Sequence, residues 1–342
     1  MILRICSFSK TGKELGQSLI DKWDDVIAIV REDGESLSEF VEKGFSMRQA
    51  FLFIGACGIA VRSIAPFVKD KLTDSPVVVM DEKGEYVIPI LSGHVGGANE
   101  LAKRIASYMQ ATPVITTATD VEGVFSVDVF AKKNGLRISN RKGILQVSEK
   151  LLRGKQITMC ISPELEICKD SIPEEIQFVA YPPQEQVDVL ISNQIESSTE
   201  CLLHLFPQKY VLGIGCKKGK SFEEINCFVE EMLTSQFAGI EDPFTDVCKV
   251  ASIDLKKKEI GLAAFATYRH MDFVTYTADE LNEVVGDFEE SEFVKSTTGV
   301  SNVCERAAVC CGGEQSELIM KKCARDGVTL AVAKRAPISL QF

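Results

Sequence analysis

Short apolar runs alternate with segments whose apolar residues recur at helical spacing. Residues 3–8, 25–30 and 50–54 read as strands. The last, AFLFI, has no polar position, the pattern of a strand buried on both faces. Residues 11–21 and 36–43 read as helices between them. Residues 76–80 and 86–91 flank the turn Asp81-Glu82-Lys83-Gly84 and predict a hairpin. In 98–109 the positions Ala98, Leu101, Ala102, Ile105 and Met109 fall on one helix face. Residues 113–117 read as another strand. Such alternation predicts an open, mainly parallel sheet with helices on its faces.

Farther along, 144–152 is amphipathic, and 157–161, 175–180 and 187–192 read as strands. Tyr181-Pro182-Pro183-Gln184 reads as a turn, and 193–200 as a polar loop or hairpin tip. A third part begins near Pro207, with a strand at 210–214 and a glycine- and lysine-rich turn. The next helix opens with Ser221 and Glu224 at capping-box spacing. A lysine-rich helix at 255–268, a strand at 273–276, and helices at 279–285 and 301–311 follow, the last stopped by Gly312-Gly313. Strands at 318–324 and 328–334 flank a final turn. The expected fold is multi-domain α/β. It has an N-terminal domain over 1–130, a small middle α/β domain over 131–206, and a C-terminal α/β domain with a mixed sheet over 207–342.

Composition removes several classes. The net charge of −11 argues against a general nucleic-acid binder but leaves room for a local basic pocket. No uncharged apolar run is long enough for a spanning helix, so no membrane partner is expected. The first residues read as a strand and not as a signal peptide. The twelve cysteines are therefore expected to be cytoplasmic thiols, most of them small buried hydrophobes. With no C-x-x-C and three dispersed histidines, no metal site is expected. The oligomeric state is left open, a homodimer among the options.

Candidate chemistry clusters where strands give way to helices. Gly93, Gly96 and Gly97 surround His94, the one histidine at such a junction. Strand carboxyl ends in open α/β sheets are where ligands bind. This favours function over a histidine that only bonds a neighbouring loop. His204 in its apolar run and His270 after a basic helix read as structural. Gly55 and Gly58 open a second helix whose Arg62 suits a carboxylate clamp, against a plain turn with surface charge. Thr116, Thr117, Thr119 and Asp120 follow a strand, where hydroxyls more often cap a helix than bind a ligand. Ser301 and Glu305 sit at another helix entry, where Glu305 is either an acid–base group or a capping partner. The run from Gly213 to Ser221 misses a phosphate-binding loop: five residues separate Gly213 from Gly219 and three separate Gly215 from it. With Lys217, Lys218 and Lys220 it reads as an anion-binding turn for carboxylates, or as a solvated basic loop.

Taken in order, GACGIAVR at 55–62, LSGHVGGAN at 91–99, VITTATD at 114–120, GIGCKKG at 213–219, GVSNVCERAA at 299–308 and LAVAKR at 330–335 resemble the cobalt-precorrin-5A hydrolases. The likeness spans nearly the whole chain and is weakest in the middle. Ser301-Asn302-Val303 departs from the more glycine-containing sequence expected there. The resemblance implies a cobalt tetrapyrrole substrate in cobalamin biosynthesis. Water opens its ring-A δ-lactone and acetaldehyde leaves. The cobalt comes with the substrate, so no cofactor is expected. His94 is the expected proton-transfer group, with Asp120 and Glu305 as the other candidates. Gly96 and Gly97 N–H groups are expected to meet the oxyanion. Gly55, Gly58, Arg62, Asn99, Gly215, Lys217, Lys218 and Ser301 are expected to contact the substrate, with Lys220, Lys334 and Arg335 adding positive charge. Two other readings stand beside this one: a non-catalytic tetrapyrrole carrier, and a nucleotide-dependent enzyme that the glycine spacing disfavours.

Overall fold

The computed structural model describes residues 1–70, 73–94, 96–118, 122–168, 172–194 and 201–342. The chain forms two compact units. One comprises 1–117, 218–225 and 257–273; the other comprises 118–217, 226–256 and 274–342.

The first unit is built on a six-stranded sheet: β1 (Ile2–Ser7), β2 (Ile27–Val30), β3 (Ala50–Ile54), β4 (Val77–Met80), β5 (Tyr86–Leu91) and β6 (Thr112–Pro113), in the order β2-β1-β3-β4-β5-β6. Its helices are α1 (Lys10–Lys22), α2 (Leu37–Ser46), α3 (Cys57–Ile64) and α4 (Ala98–Met109). Alternate residues of each strand feed opposite cores. Leu3, Ile5, Leu52, Ile54, Val78 and Met80 pack with Leu101, Ala102 and Ile105 of α4. Cys6, Phe51, Phe53, Val77 and Val79 pack with Phe40 and Val41 of α2 and Ala60 and Ile64 of α3. Cover on both faces is why AFLFI carries no polar residue. The segment Ile260–Tyr268 belongs to this unit: Ala263 and Ala264 pack on Ile2 and Ile27.

The hairpin is present, and it fixes where the sheet's ends lie. β1 to β4 run parallel, and β5 is antiparallel to β4. Ile54 pairs with Met80, and Met80 with Val87. At the other end, Phe51 pairs with Val77 and Val77 with Leu91. The carboxyl end of β5 therefore lies at the edge where β3 begins, opposite the edge where β3 ends.

The second unit holds two five-stranded sheets. One comprises β7 (Leu136–Ile138), β8 (Ile157–Ile161), β10 (Ile176–Val179), β11 (Val187–Ile191) and β12 (Cys201–Pro207), in the order β10-β8-β11-β12-β7. The other comprises β13 (Tyr210–Cys216), β14 (Val247–Ile253), β15 (Asp272–Tyr276), β16 (Glu317–Arg325) and β17 (Val328–Lys334), in the order β15-β14-β13-β17-β16. β17 runs antiparallel to both β13 and β16, which makes the sheet mixed. Near the end of the chain, β18 (Ser339–Leu340) pairs with β9 (Glu166–Ile167), and Phe342 stacks on Phe130. The molecule is multi-domain α/β with mixed sheets, as the pattern predicts.

Several elements differ from the sequence expectation. β6 is two residues long, and 114–117 is not part of a strand, although the Val114 N–H still donates to the Val87 carbonyl at 2.9 Å. The lysine-rich helix is broken after a turn of 3-10 helix at Asp254–Lys256. Its remainder, Ile260–Tyr268, is apolar and buried over most of its length. Strands β12 and β14 and the helix Val127–Asn134 are additional. Of the loop read at 193–200, residues 195–200 lie outside the described residues.

Candidate functional site

The turn between β5 and α4 is closed by its own backbone. Ser92 adopts a positive φ of 56°, and its hydroxyl donates to the Asp74 carbonyl at 3.0 Å. The N–H groups of Ala98 and Asn99 donate to the carbonyls of Ser92 and Gly93, each at 3.0 Å, and that of Gly97 to the His94 carbonyl at 2.9 Å. The glycines follow from this closeness. A Cβ on Gly96 would stand 2.3 Å from the Cβ of Ser92, and one on Gly93 would stand 2.8 Å from Asn99 Oδ1. His94 is half-buried on this turn. Asn99 is buried in the first turn of α4, and its Nδ2 donates to Thr117 Oγ1 at 2.9 Å. Thr117 thus accepts from Asn99, a contact that the capping reading of 116–120 does not include. The Gly97 N–H, read from the sequence as an oxyanion donor, is here taken by the His94 carbonyl.

The second glycine cluster lies elsewhere on the same sheet. Gly55 follows β3 with φ of 148° and donates to the Met80 carbonyl at 2.9 Å. α3 then starts without a side-chain cap. The exposed Arg62 folds its guanidinium over Gly58, 3.6 Å from where a Cβ would stand. A cation one turn above an uncapped helix start suits a carboxylate. By the strand register, however, Gly55 sits at the edge opposite the His94 turn. The sheet does not bring Gly55 and Gly58 to one edge with Gly96, Gly97 and Asn99.

The third cluster is largely occupied by the protein's own groups. Gly215 lies inside β13, where the Thr329 hydroxyl donates to its carbonyl at 3.2 Å. Lys217 donates its N–H to the Gly327 carbonyl at 2.8 Å and lays its methylene stem against that glycine. Lys217 and Lys218 are exposed. The Gly219 N–H donates to the Glu259 carboxylate at 2.6 Å, and Lys220 pairs with Glu224 at 2.6 Å. The turn does bind carboxylate, but the carboxylates are Glu259 and Glu224. Glu224 is held below the usual range by its bonds to Lys220 and Ser221.

Glu305 is an interior clamp. It is fully buried. Its Oε1 accepts from the Lys322 N–H at 2.7 Å, and its Oε2 accepts from the Glu289 N–H at 3.0 Å and from Asn302 Nδ2 at 2.8 Å. Its own N–H is capped by Asn302 Oδ1 at 3.0 Å. These are the bonds of a capping partner, the second of the two readings of Glu305. Ser301 is buried beside it, its carbonyl accepting from the Ser291 N–H at 3.1 Å. Arg335 donates to the carbonyls of Asn134 and Gln208 at 3.4 and 3.2 Å, a structural anchor. His204 bonds the Ser192 carbonyl at 3.0 Å and stacks on Phe206, and burial lowers its pKa. Asp120 lies outside the described residues.

Known proteins match along the chain. Three family models fit in order: Cobalamin synthesis G N-terminal over residues 39–120, Cobalamin biosynthesis central region over 125–207, and Cobalamin synthesis G C-terminus over 210–333. A cobalt-precorrin-5A hydrolase of Salmonella typhimurium is 35% identical over 297 residues, covering 85% of this chain and 83% of that protein. One of Priestia megaterium is 32% identical over 330 residues, covering 92% and 86%. A solved structure of a cobalamin biosynthesis protein G homolog from Sulfolobus solfataricus is 24% identical, spans 98% of this chain and 97% of that one, and has a TM-score of 0.42. By identity and coverage, this chain belongs to the cobalamin synthesis G family, the family of the cobalt-precorrin-5A hydrolases.

Proposed function

We infer that this chain is a cobalt-precorrin-5A hydrolase acting in cobalamin biosynthesis. The observation that carries this is its 35% and 32% identity to two hydrolases of that name, over 83% and 86% of their lengths. On this reading water opens the ring-A δ-lactone of a cobalt tetrapyrrole, and a two-carbon fragment leaves as acetaldehyde. The cobalt arrives with the substrate. Water attack needs a base, and we assign it to His94, a half-buried imidazole on a closed turn at a sheet edge. An imidazole can take the proton from the attacking water and return it to the departing alkoxide. Arg62, Lys217 and Lys218 are exposed and are our candidates for the substrate's carboxylates. The twelve cysteines are free thiols, which supports a reducing cytosolic setting.

The test is acetaldehyde release from cobalt-precorrin-5A, with a melting curve for each variant. Wild type releases acetaldehyde. His94→Ala keeps its melting temperature and slows by ~10²-fold, the usual scale for one acid–base group. His204→Ala loses stability but not chemistry. Corrinoid binding without acetaldehyde release would replace the enzyme by a carrier. Near-normal turnover in His94→Ala would remove it as the base.

A further inference from the structure

We propose that the Thr117 hydroxyl donates to the lactone oxyanion, with Asn99 as the positioning residue that aims it. The proposal rests on the hydrolase reading above. Lactone opening places negative charge on the former carbonyl oxygen, and that charge needs a donor fixed in advance. The first turn of α4 is a poor source. The N–H groups of Gly97, Ala98 and Asn99 already donate to the carbonyls of His94, Ser92 and Gly93.

Thr117 reaches the same place by another route. Val114 donates its N–H to the Val87 carbonyl at 2.9 Å, so 114–117 advances beside β5 toward the edge where β5 ends. There Asn99 lies against Gly93 and donates Nδ2 to Thr117 Oγ1 at 2.9 Å. A hydroxyl oxygen that accepts this bond keeps its own O–H for a different acceptor. Among the described residues no acceptor takes it, and Thr117 is only half-buried. Asn99 itself is buried, which holds its amide against the Thr117 hydroxyl. The result is a neutral, pre-aimed donor next to the turn that carries His94.

The experiment compares Thr117→Val, Thr117→Ser and Asn99→Asp in steady-state acetaldehyde release from cobalt-precorrin-5A, beside melting curves. Thr117→Val keeps shape and loses the donor. It is expected to lower kcat by ~10²-fold, the scale for one oxyanion donor, with KM and Tm near wild type. Thr117→Ser restores the donor and is expected to stay within about threefold of wild type. Asn99→Asp offers a carboxylate that draws the Thr117 O–H toward itself, so it slows kcat as Thr117→Val does. Near-wild-type kcat in Thr117→Val overturns the proposal while the hydrolase reading stands. Equal losses in the Val and Ser variants with lowered Tm also overturn it, since the role would then be structural. A wild type that releases no acetaldehyde fails the hydrolase reading itself and this proposal with it.

Discussion

Glu305 shows how far one residue's role depends on atoms remote in sequence. Read along the chain, it is a carboxylate three positions after Asn302 at a helix start, and its types alone admit catalysis or capping. In the fold its two oxygens gather the backbone N–H groups of Glu289 and Lys322 and the Asn302 amide. Glu305→Ala would take this acceptor from the partly buried N–H groups of Glu289 and Lys322, while the Asn302 amide keeps its bond to the Glu289 carbonyl at 2.9 Å. Urea denaturation should therefore show a loss of about 1–3 kcal/mol. Full stability with lost acetaldehyde release would return Glu305 to the catalytic candidates. The strand-to-helix turn that carries His94 and Asn99 was legible because glycines flank the first and the second begins a clear helix. Thr117's bond to Asn99 was not, since it joins segments 18 positions apart.

At the scale of elements, the string from Gly213 to Gly219 separates into two jobs. Gly213 is where the helix Val303–Gly312 rests on β13: a Cβ there would stand 1.8 Å from the Cys304 carbonyl oxygen and 2.8 Å from the Ala308 nitrogen. Neither is the end of a flexible side chain, so Gly213→Ala must push helix and sheet apart. It is expected to abolish soluble folded protein or to lower the melting temperature steeply. Gly219 has φ of 80° with open space around it. Gly219→Ala meets only backbone strain, about 1–2 kcal/mol, and should fold. Similar melting temperatures for the two variants would contradict this packing. Sequence alone groups both glycines into one anion-binding turn, because spacing records where glycines fall and not what presses on each.

For the molecule as a whole, the cysteines test how burial is distributed. Four of the twelve are buried (Cys6, Cys160, Cys248 and Cys304), seven are partly buried, and Cys227 alone is exposed, so the expectation that most are buried holds only in part. Burial pushes the Cys6 and Cys304 thiols up to about 12, and Cys248 upward as well. At pH 8 these groups remain protonated and sheltered, and the thiolate is the reactive form. Ellman's reagent at that pH should label Cys227 first and reach Cys6, Cys160, Cys248 and Cys304 only after denaturation. Rapid native labelling of Cys6 or Cys304, read by peptide mapping, would show that the cores open. The alternation of strands and helices, the hairpin, the mixed final sheet and the family were legible in the sequence. Each rests on hydrophobic periodicity, turn residues or motif strings that are local in the chain. Tertiary structure decided the rest. It set Gly55 and Gly97 at opposite edges of one sheet, filled the lysine turn with Glu259 and Glu224, and closed the first turn of α4. Those outcomes depend on register and contact between distant segments, where direction, distance and burial choose among partners that the sequence leaves equivalent.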